Sequence, residues 1–147
     1  LANAVNALAD IPVKQMIEDS AYRRVMALLM RELIAVTKAK DIKMPKVAAV
    51  PGPVIPIILS LPNFIFKLIA QKMLAVDPTV RASMWWDLSS DKLTEIDYLN
   101  AVVVAEGEAV GVPCPANKKL VAMVHLAEQG GLAQGISGKD LLTALTN

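Results

Sequence analysis

The sequence predicts an all-α fold, and three observations carry that prediction. Apolar residues recur at three- and four-residue spacing, the segments are punctuated by Pro and Gly stops, and no run alternates apolar and polar residues as a half-buried strand would. Hydrophobic residues make up 54% of the 147, and Lys+Arg 15 against Asp+Glu 14 leaves a charge of only +1, so the chain is compact and folded. That length suits one domain with a real core and is short for two. Six or seven helices are expected, without internal repeats.

Leu1-Ala2-Asn3-Ala4-Val5-Asn6 opens the first helix, where Asn3 and Asn6, three apart, share a face and can offer amides to a carboxylate or hydroxyl. Ser20 to Lys40 places Val25, Leu28, Leu29, Leu33 and Val36 on one side and Arg24, Arg31 and Lys38 on the other, the pattern of a central helix. Glu32 lies within the apolar arc, and a buried carboxylate must be paired or neutralised; pairing with an arginine is expected ahead of a catalytic role. Pro45, Pro51, Pro53, Pro56 and Pro62 rule out a long helix between them. The uncharged stretch Val47 to Phe66 is long enough to span a bilayer, but its prolines would leave carbonyls without partners in lipid. An apolar loop at 45–62, packed over the domain or a partner, is the expectation.

Helical pattern resumes from Asn63 to about Val76. Asp77-Pro78 is a helix start, predicted to run through Trp86. Thr94-Glu95-Ile96-Asp97 reads as a capping box opening a helix with Ile96, Leu99, Val103 and Val110 buried and Gly111 at its end. Gly107 inside it costs about 1 kcal/mol relative to alanine, tolerable where another helix approaches closely. A further helix runs from Pro115 to Gln129, stopped by Gly130-Gly131. A helical domain at 1–130 and a Gly-rich tail at 131–147 with a short terminal helix complete the layout.

Composition excludes several functions. No basic run exceeds two residues, so the footprint of a nucleic-acid binder is missing. Cys114 alone supports neither a disulfide framework nor a cysteine-based zinc site, and suits a reducing cytoplasm. The lone His125, at the polar edge of its helix, reads as solvated, and no metal site is expected. There is no basic-then-apolar signal peptide, and Leu1 in place of methionine suggests a piece of a longer protein.

The most informative stretch is Arg81 to Asn100, which presents Ser83 and Glu95 on either side of Trp85-Trp86 and suggests a small-molecule site. Each has a plain structural reading as well. An acid in a first turn stabilises its helix, a helical serine can back-bond to a carbonyl, and tryptophans commonly anchor cores or interfaces.

The order of motifs adds to this. S-M-x-x-D-L from Ser83, T-E-I-D-Y-L-N from Thr94 and G-V-P-x-P-x-N from Gly111 to Asn117 resemble the C-terminal domain of the ketopantoate reductase (2-dehydropantoate 2-reductase) family. The likeness covers roughly Leu1 to Gln129, with Pro45 to Pro62 as an inserted loop. It implies a multi-helix domain similar to the C-terminal domain of 6-phosphogluconate dehydrogenase. It also implies a cytoplasmic oxidoreductase of pantothenate biosynthesis, in which an N-terminal Rossmann domain binds NADPH and this domain closes the cleft over a small 2-oxo acid. By motif position, Ser83 contacts the substrate carboxylate, and catalytic Glu95 reaches the substrate or the nicotinamide ribose. Asn3, with Asn6 beside it, matches the substrate asparagines of the opening helix. The Rossmann domain and the helix lysine that acts as general acid lie outside this sequence, so the chain alone is expected to be inactive. The alternative is a non-catalytic helical module that homodimerises through the apolar loop and the tryptophans.

Overall fold

A computed structural model describes residues 1–46, 50–70 and 77–147. Nine α-helices occur among them: α1 (Ala2–Ala9), α2 (Val13–Glu18), α3 (Ser20–Ala39), α4 (Ile55–Leu59), α5 (Asn63–Ile69), α6 (Ser83–Ser89), α7 (Asn100–Ala109), α8 (Pro115–Glu128) and α9 (Gly138–Thr146). Two 3-10 turns, Gly52–Val54 and Ile96–Tyr98, complete the set, and no strand is formed among the described residues. The all-α expectation holds. The helix count is higher than six or seven because α2 and α4 are too short to show periodicity.

The long helix α3 is the axis of the domain. Asp19 caps it, with Oδ1 accepting from the Ala21 N–H at 2.7 Å. Its apolar side packs against α1, α2, α4, α7, α8 and α9. Val25, Ala27 and Leu29 are fully enclosed, and each such Val or Leu side chain is worth about 1.5–3 kcal/mol. The core they form also takes in Leu8, Met16, Phe66, Met84, Ile96, Leu120 and Leu141.

The proline-rich segment is not a plain loop. Pro56 stands in the first turn of α4, where its missing N–H costs nothing, and Leu59 from that helix is buried against α3. Arg23, fully buried, ties this segment down. Its guanidinium donates to the carbonyls of Ile17 (2.9 Å), Glu18 (3.0 Å), Leu59 (3.2 Å) and Leu61 (3.1 Å) and to Asn63 Oδ1 (2.7 Å), and it lies 4.1 Å from the Phe66 ring centroid. Arg23 thereby satisfies carbonyls at the ends of both α2 and α4. Burial lowers its pKa, against the opposing pull of Asp19.

Two predicted helix starts are displaced. Asp77-Pro78 does not open a helix: Asp77 Oδ1 accepts from the Thr79 N–H at 2.8 Å and its hydroxyl at 2.6 Å, closing a side-chain turn, and Val80 then accepts from the Val13 N–H. α6 begins only at Ser83. Residues 71–76, the far end of the predicted Asn63–Val76 helix, lie outside the described set. Thr94 is not the helix cap: its Oγ1 accepts from the Ile96 N–H (3.2 Å) ahead of a 3-10 turn whose N-cap is Glu95, and Leu99 at φ −115°, ψ −86° separates that turn from α7. Val110, the residue just beyond the end of α7, is exposed, not buried.

Gly107 is crowded chiefly by the turn that follows its own helix, and only less closely by another helix, α3. A Cβ there would fall 2.6 Å from the Val112 carbonyl oxygen, 2.7 Å from Cys114 Sγ and 3.2 Å from Val36 of α3. The tail is no appendage: Leu141 and Leu145 of α9 enter the core, and Tyr22 Oη donates to the Ile136 carbonyl at 2.7 Å. No helix of the described residues is long and apolar enough to cross a membrane.

Candidate functional site

Ser83 is the first residue of α6, exposed, while Met84 next to it is 1% exposed in the core. Its flanks are held by α1. Asn6 is fully buried, donating from Nδ2 to the Ile11 carbonyl (2.8 Å) and accepting at Oδ1 from the Ala82 N–H (2.8 Å). Asp10, in the left-handed region at φ 52°, accepts at Oδ1 from Arg81 (2.9 Å) and from Trp85 Nε1 (2.7 Å). Arg81 also stacks on the Trp85 ring at 4.1 Å. Residues 81, 82 and 85 are thus fixed to the C-terminal end of α1, with the Ser83 hydroxyl left facing outward.

Asn3 lies one turn before Asn6 on α1, partly exposed, with no hydrogen bond from its side chain among the described residues. The two asparagines of α1 therefore divide. Asn3 keeps its amide available, whereas both polar ends of Asn6 are engaged within the fold, contrary to the expectation that it faces a ligand. The reason is that α1 packs along α6, so the Asn6 side of the helix is sealed by the chain leading into Ser83.

Glu95 stands between Thr94 and the 3-10 turn, not in the first turn of a long helix. Its carboxylate is exposed while Ile96 beside it is fully buried. The Thr94 N–H donates to Glu128 Oε1 at 2.7 Å, and the Tyr98 N–H donates to the Glu95 carbonyl at 3.0 Å. Asp97 does not complete a capping box, because its Oδ1 meets His125 Nε2 at 3.0 Å. His125 is accordingly not a free solvated side chain: its Nδ1 lies 2.9 Å from Glu128 Oε2. Among the described residues no hydrogen bond joins Glu95 to Ser83 or Asn3.

Glu32 is buried as expected but its partner is not an arginine. Its Oε1 accepts from the Ala116 N–H (2.8 Å), and Oε2 from the Asn117 N–H (2.9 Å) and Nδ2 (2.7 Å), so it caps the start of α8. A helix N-terminus offers free N–H groups and a partial positive charge, which replace an arginine here. Asn117 Oδ1 in turn accepts from buried Asn100 Nδ2 at 2.9 Å. These two asparagines end the T-E-I-D-Y-L-N and G-V-P-x-P-x-N motifs, which is the sequence feature that could have revealed the bond between them.

Cys114 is buried. Burial, then the charges of Glu32 and Glu108, push its thiol pKa up, as befits an inert thiol. Trp85 and exposed Trp86 meet edge to face, with centroids 4.7 Å apart. No group of three or more His, Cys, Asp or Glu side chains among the described residues could hold a metal ion.

Comparison with known proteins identifies the family. A family profile described as "Ketopantoate reductase PanE/ApbA C terminal" matches residues 1–128. The chain is 31% identical over 127 residues to a protein named 2-dehydropantoate 2-reductase from Pyrobaculum aerophilum, covering 86% of this chain and 39% of that one. A protein of the same name from Archaeoglobus fulgidus is 38% identical over 50 residues, 34% of this chain and 17% of the relative. The crystal structure of a PanE/ApbA family ketopantoate reductase from Ralstonia eutropha JMP134 superposes with a TM-score of 0.64 at 29% identity, over 88% of this chain and 37% of that one. The chain thus spans about two-fifths or less of the length of these relatives. Its match over 128 residues, covering the elements that carry Asn3, Ser83 and Glu95, assigns it to the ketopantoate reductase family as a C-terminal domain.

Proposed function

We infer that this chain is the substrate-orienting part of an NADPH-dependent reductase of a small 2-oxo acid, 2-dehydropantoate or a relative of it. The observation that carries this reading is how Ser83 and Glu95 are mounted. Each polar group faces outward beside a buried anchor, Met84 or Ile96, and each has neighbouring backbone tied down by side chains from another helix. Rigid support with an exposed tip is what a binding group requires.

In this reading Ser83 Oγ donates to the substrate carboxylate, Asn3 offers its free amide to the same molecule, and Glu95 accepts from a hydroxyl of the substrate or the nicotinamide ribose. Asn6 serves as the brace of Ser83. NADPH would supply the hydride that reduces the keto carbon. The described residues include no Gly-rich turn between a strand and a helix to cradle a pyrophosphate, so they fit only the edge of the cofactor, at Glu95. Holding substrate in a near-attack geometry can lower a barrier by about 7–11 kcal/mol, which makes orientation a sufficient task for one domain. The companion is a nucleotide-binding domain, and the setting is the cytoplasm.

In the enzyme carrying this chain together with such a domain, Glu95→Ala should lose at least about tenfold in kcat/KM, roughly 1.4 kcal/mol of transition-state binding. Unchanged turnover sinks the assignment. A second reading, a homodimerising module, is favoured by Phe64 and Leu68, one turn apart on α5 and 76% and 73% exposed. A monomer in sedimentation at high concentration counts against it.

A further inference from the structure

Glu95 is presented by a segment with little core of its own. Of Thr94–Tyr98, only Ile96 is buried, and Glu95, Asp97 and Tyr98 are exposed. What else holds the segment on α8 is a chain of polar contacts. Thr94 N–H reaches Glu128 Oε1 at 2.7 Å, Glu128 Oε2 reaches His125 Nδ1 at 2.9 Å, and His125 Nε2 reaches Asp97 Oδ1 at 3.0 Å. The two ends of this chain, Thr94 and Asp97, bracket Glu95. We propose that His125 is a positioning residue for Glu95, a protonation-dependent latch that fixes the Thr94–Tyr98 segment through Glu128 and Asp97. The proposal rests on the assignment of Glu95 as a substrate or cofactor contact.

Ionised carboxylates only accept hydrogen bonds, and a neutral imidazole has a single N–H. Both ring nitrogens face carboxylate oxygens, so both contacts form together only when the ring is the imidazolium. A neutral ring keeps one contact and turns a lone pair toward the other carboxylate. The charged groups acting on the ring are Asp97 from the 3-10 turn and Glu128 from its own helix. The hydrogen bond to Glu128 raises the His125 pKa most, burial opposes it, and Asp97 raises it further. For Glu128, burial pushes upward, but the bonds from Thr94 and His125 outweigh it and leave the carboxyl below its usual value.

The signs define a window. The His125 contribution is complete below the usual histidine value of about 6.5 and is lost as pH rises through the raised value in the fold. The Glu128 contribution is complete above the usual glutamate value of about 4.3 and is lost as pH falls through its lowered value. The latch is therefore tightest at mildly acid pH and slackens on the alkaline side.

Hydrogen exchange on the intact protein tests this. Corrected for intrinsic rates, protection of the amides in Thr94–Tyr98 should fall about three- to tenfold from about pH 6 to 8.5, while α3 amides stay constant, the size expected for losing one charge-assisted bond at a partly exposed site. In His125→Gln the protection should be low and independent of pH, and Asp97→Asn should move the wild-type midpoint to lower pH. A flat wild-type profile, or an unchanged profile in His125→Gln, overturns the latch. In the enzyme, His125→Gln should raise KM for the 2-oxo acid about threefold near pH 6 with kcat within about twofold, the difference closing at alkaline pH. KM equal to wild type at every pH overturns positioning. If Glu95→Ala loses activity while the latch measurements are flat, the latch alone fails. If Glu95→Ala is fully active while protection follows pH, the role of Glu95 fails, and with it the claim that the latch positions a ligand contact.

Discussion

Replacing Glu32 by glutamine tests the internal framework on which α7 and α8 are set. The carboxylate accepts three hydrogen bonds, at 2.8, 2.9 and 2.7 Å, from Ala116 N–H, Asn117 N–H and Asn117 Nδ2. An amide keeps one oxygen, which can retain the two Asn117 donors, and sets an NH2 against the Ala116 N–H. One buried donor is then orphaned at a cost of about 1–3 kcal/mol. The remaining bonds lose their charge, and the negative charge at the α8 N-terminus is gone, a further loss of about 0.5–1 kcal/mol. Glu32→Gln should therefore lower stability by about 1.5–4 kcal/mol. Urea unfolding followed by circular dichroism should show a lower midpoint at unchanged slope. A loss below about 0.5 kcal/mol, the range of ordinary surface changes, would refute the claim that Glu32 caps α8 from the interior.

Gly107→Ala gains helix propensity of about 1 kcal/mol but drives a methyl to 2.6 Å from the Val112 carbonyl at a cost of about 1–3 kcal/mol, so a net loss of up to about 2 kcal/mol and a lower melting temperature are expected. A neutral or stabilised variant would show that the Val112 turn yields. Arg23→Lys keeps the charge yet cannot reach five acceptors on α2, α4 and the segment after it, and should cost about 2–4 kcal/mol in chemical unfolding; wild-type stability would refute the stapling role. Cys114, buried and with its pKa raised, should react with a disulfide reagent at pH 8 at least about tenfold more slowly than free cysteine, and a comparable rate would contradict its enclosure.

The helical fold was legible because α3 carries strong periodicity and because α7 and α8 end at plain stops, Gly111 at φ 71° and Gly130 at φ 72°. Helix starts were less so. Asp77 and Thr94 both have the chemistry of a cap, but a side-chain oxygen that caps a helix can equally close a turn or a 3-10 start, and tertiary contacts decided between them. The 3-10 start was chosen where Asp97 found His125, a partner 28 residues away that no local pattern contains. The position of Glu32 in the apolar arc of α3 shows that it is buried, but not its partner, since the partial positive charge of a helix end is invisible in a residue list. The tie of α1 to α6 through Asn6 and Asp10 likewise joins positions over 70 apart. Ser83 and Glu95 stood out through the order of motifs, and the structure adds how each is held.

The most direct measurement is a crystal structure of the enzyme carrying this chain with a 2-oxo acid bound. Ser83 Oγ is expected within about 3.0 Å of a substrate carboxylate oxygen, and Glu95 within hydrogen-bond reach of a substrate or ribose hydroxyl. A substrate seated without contact to either residue would contradict this expectation.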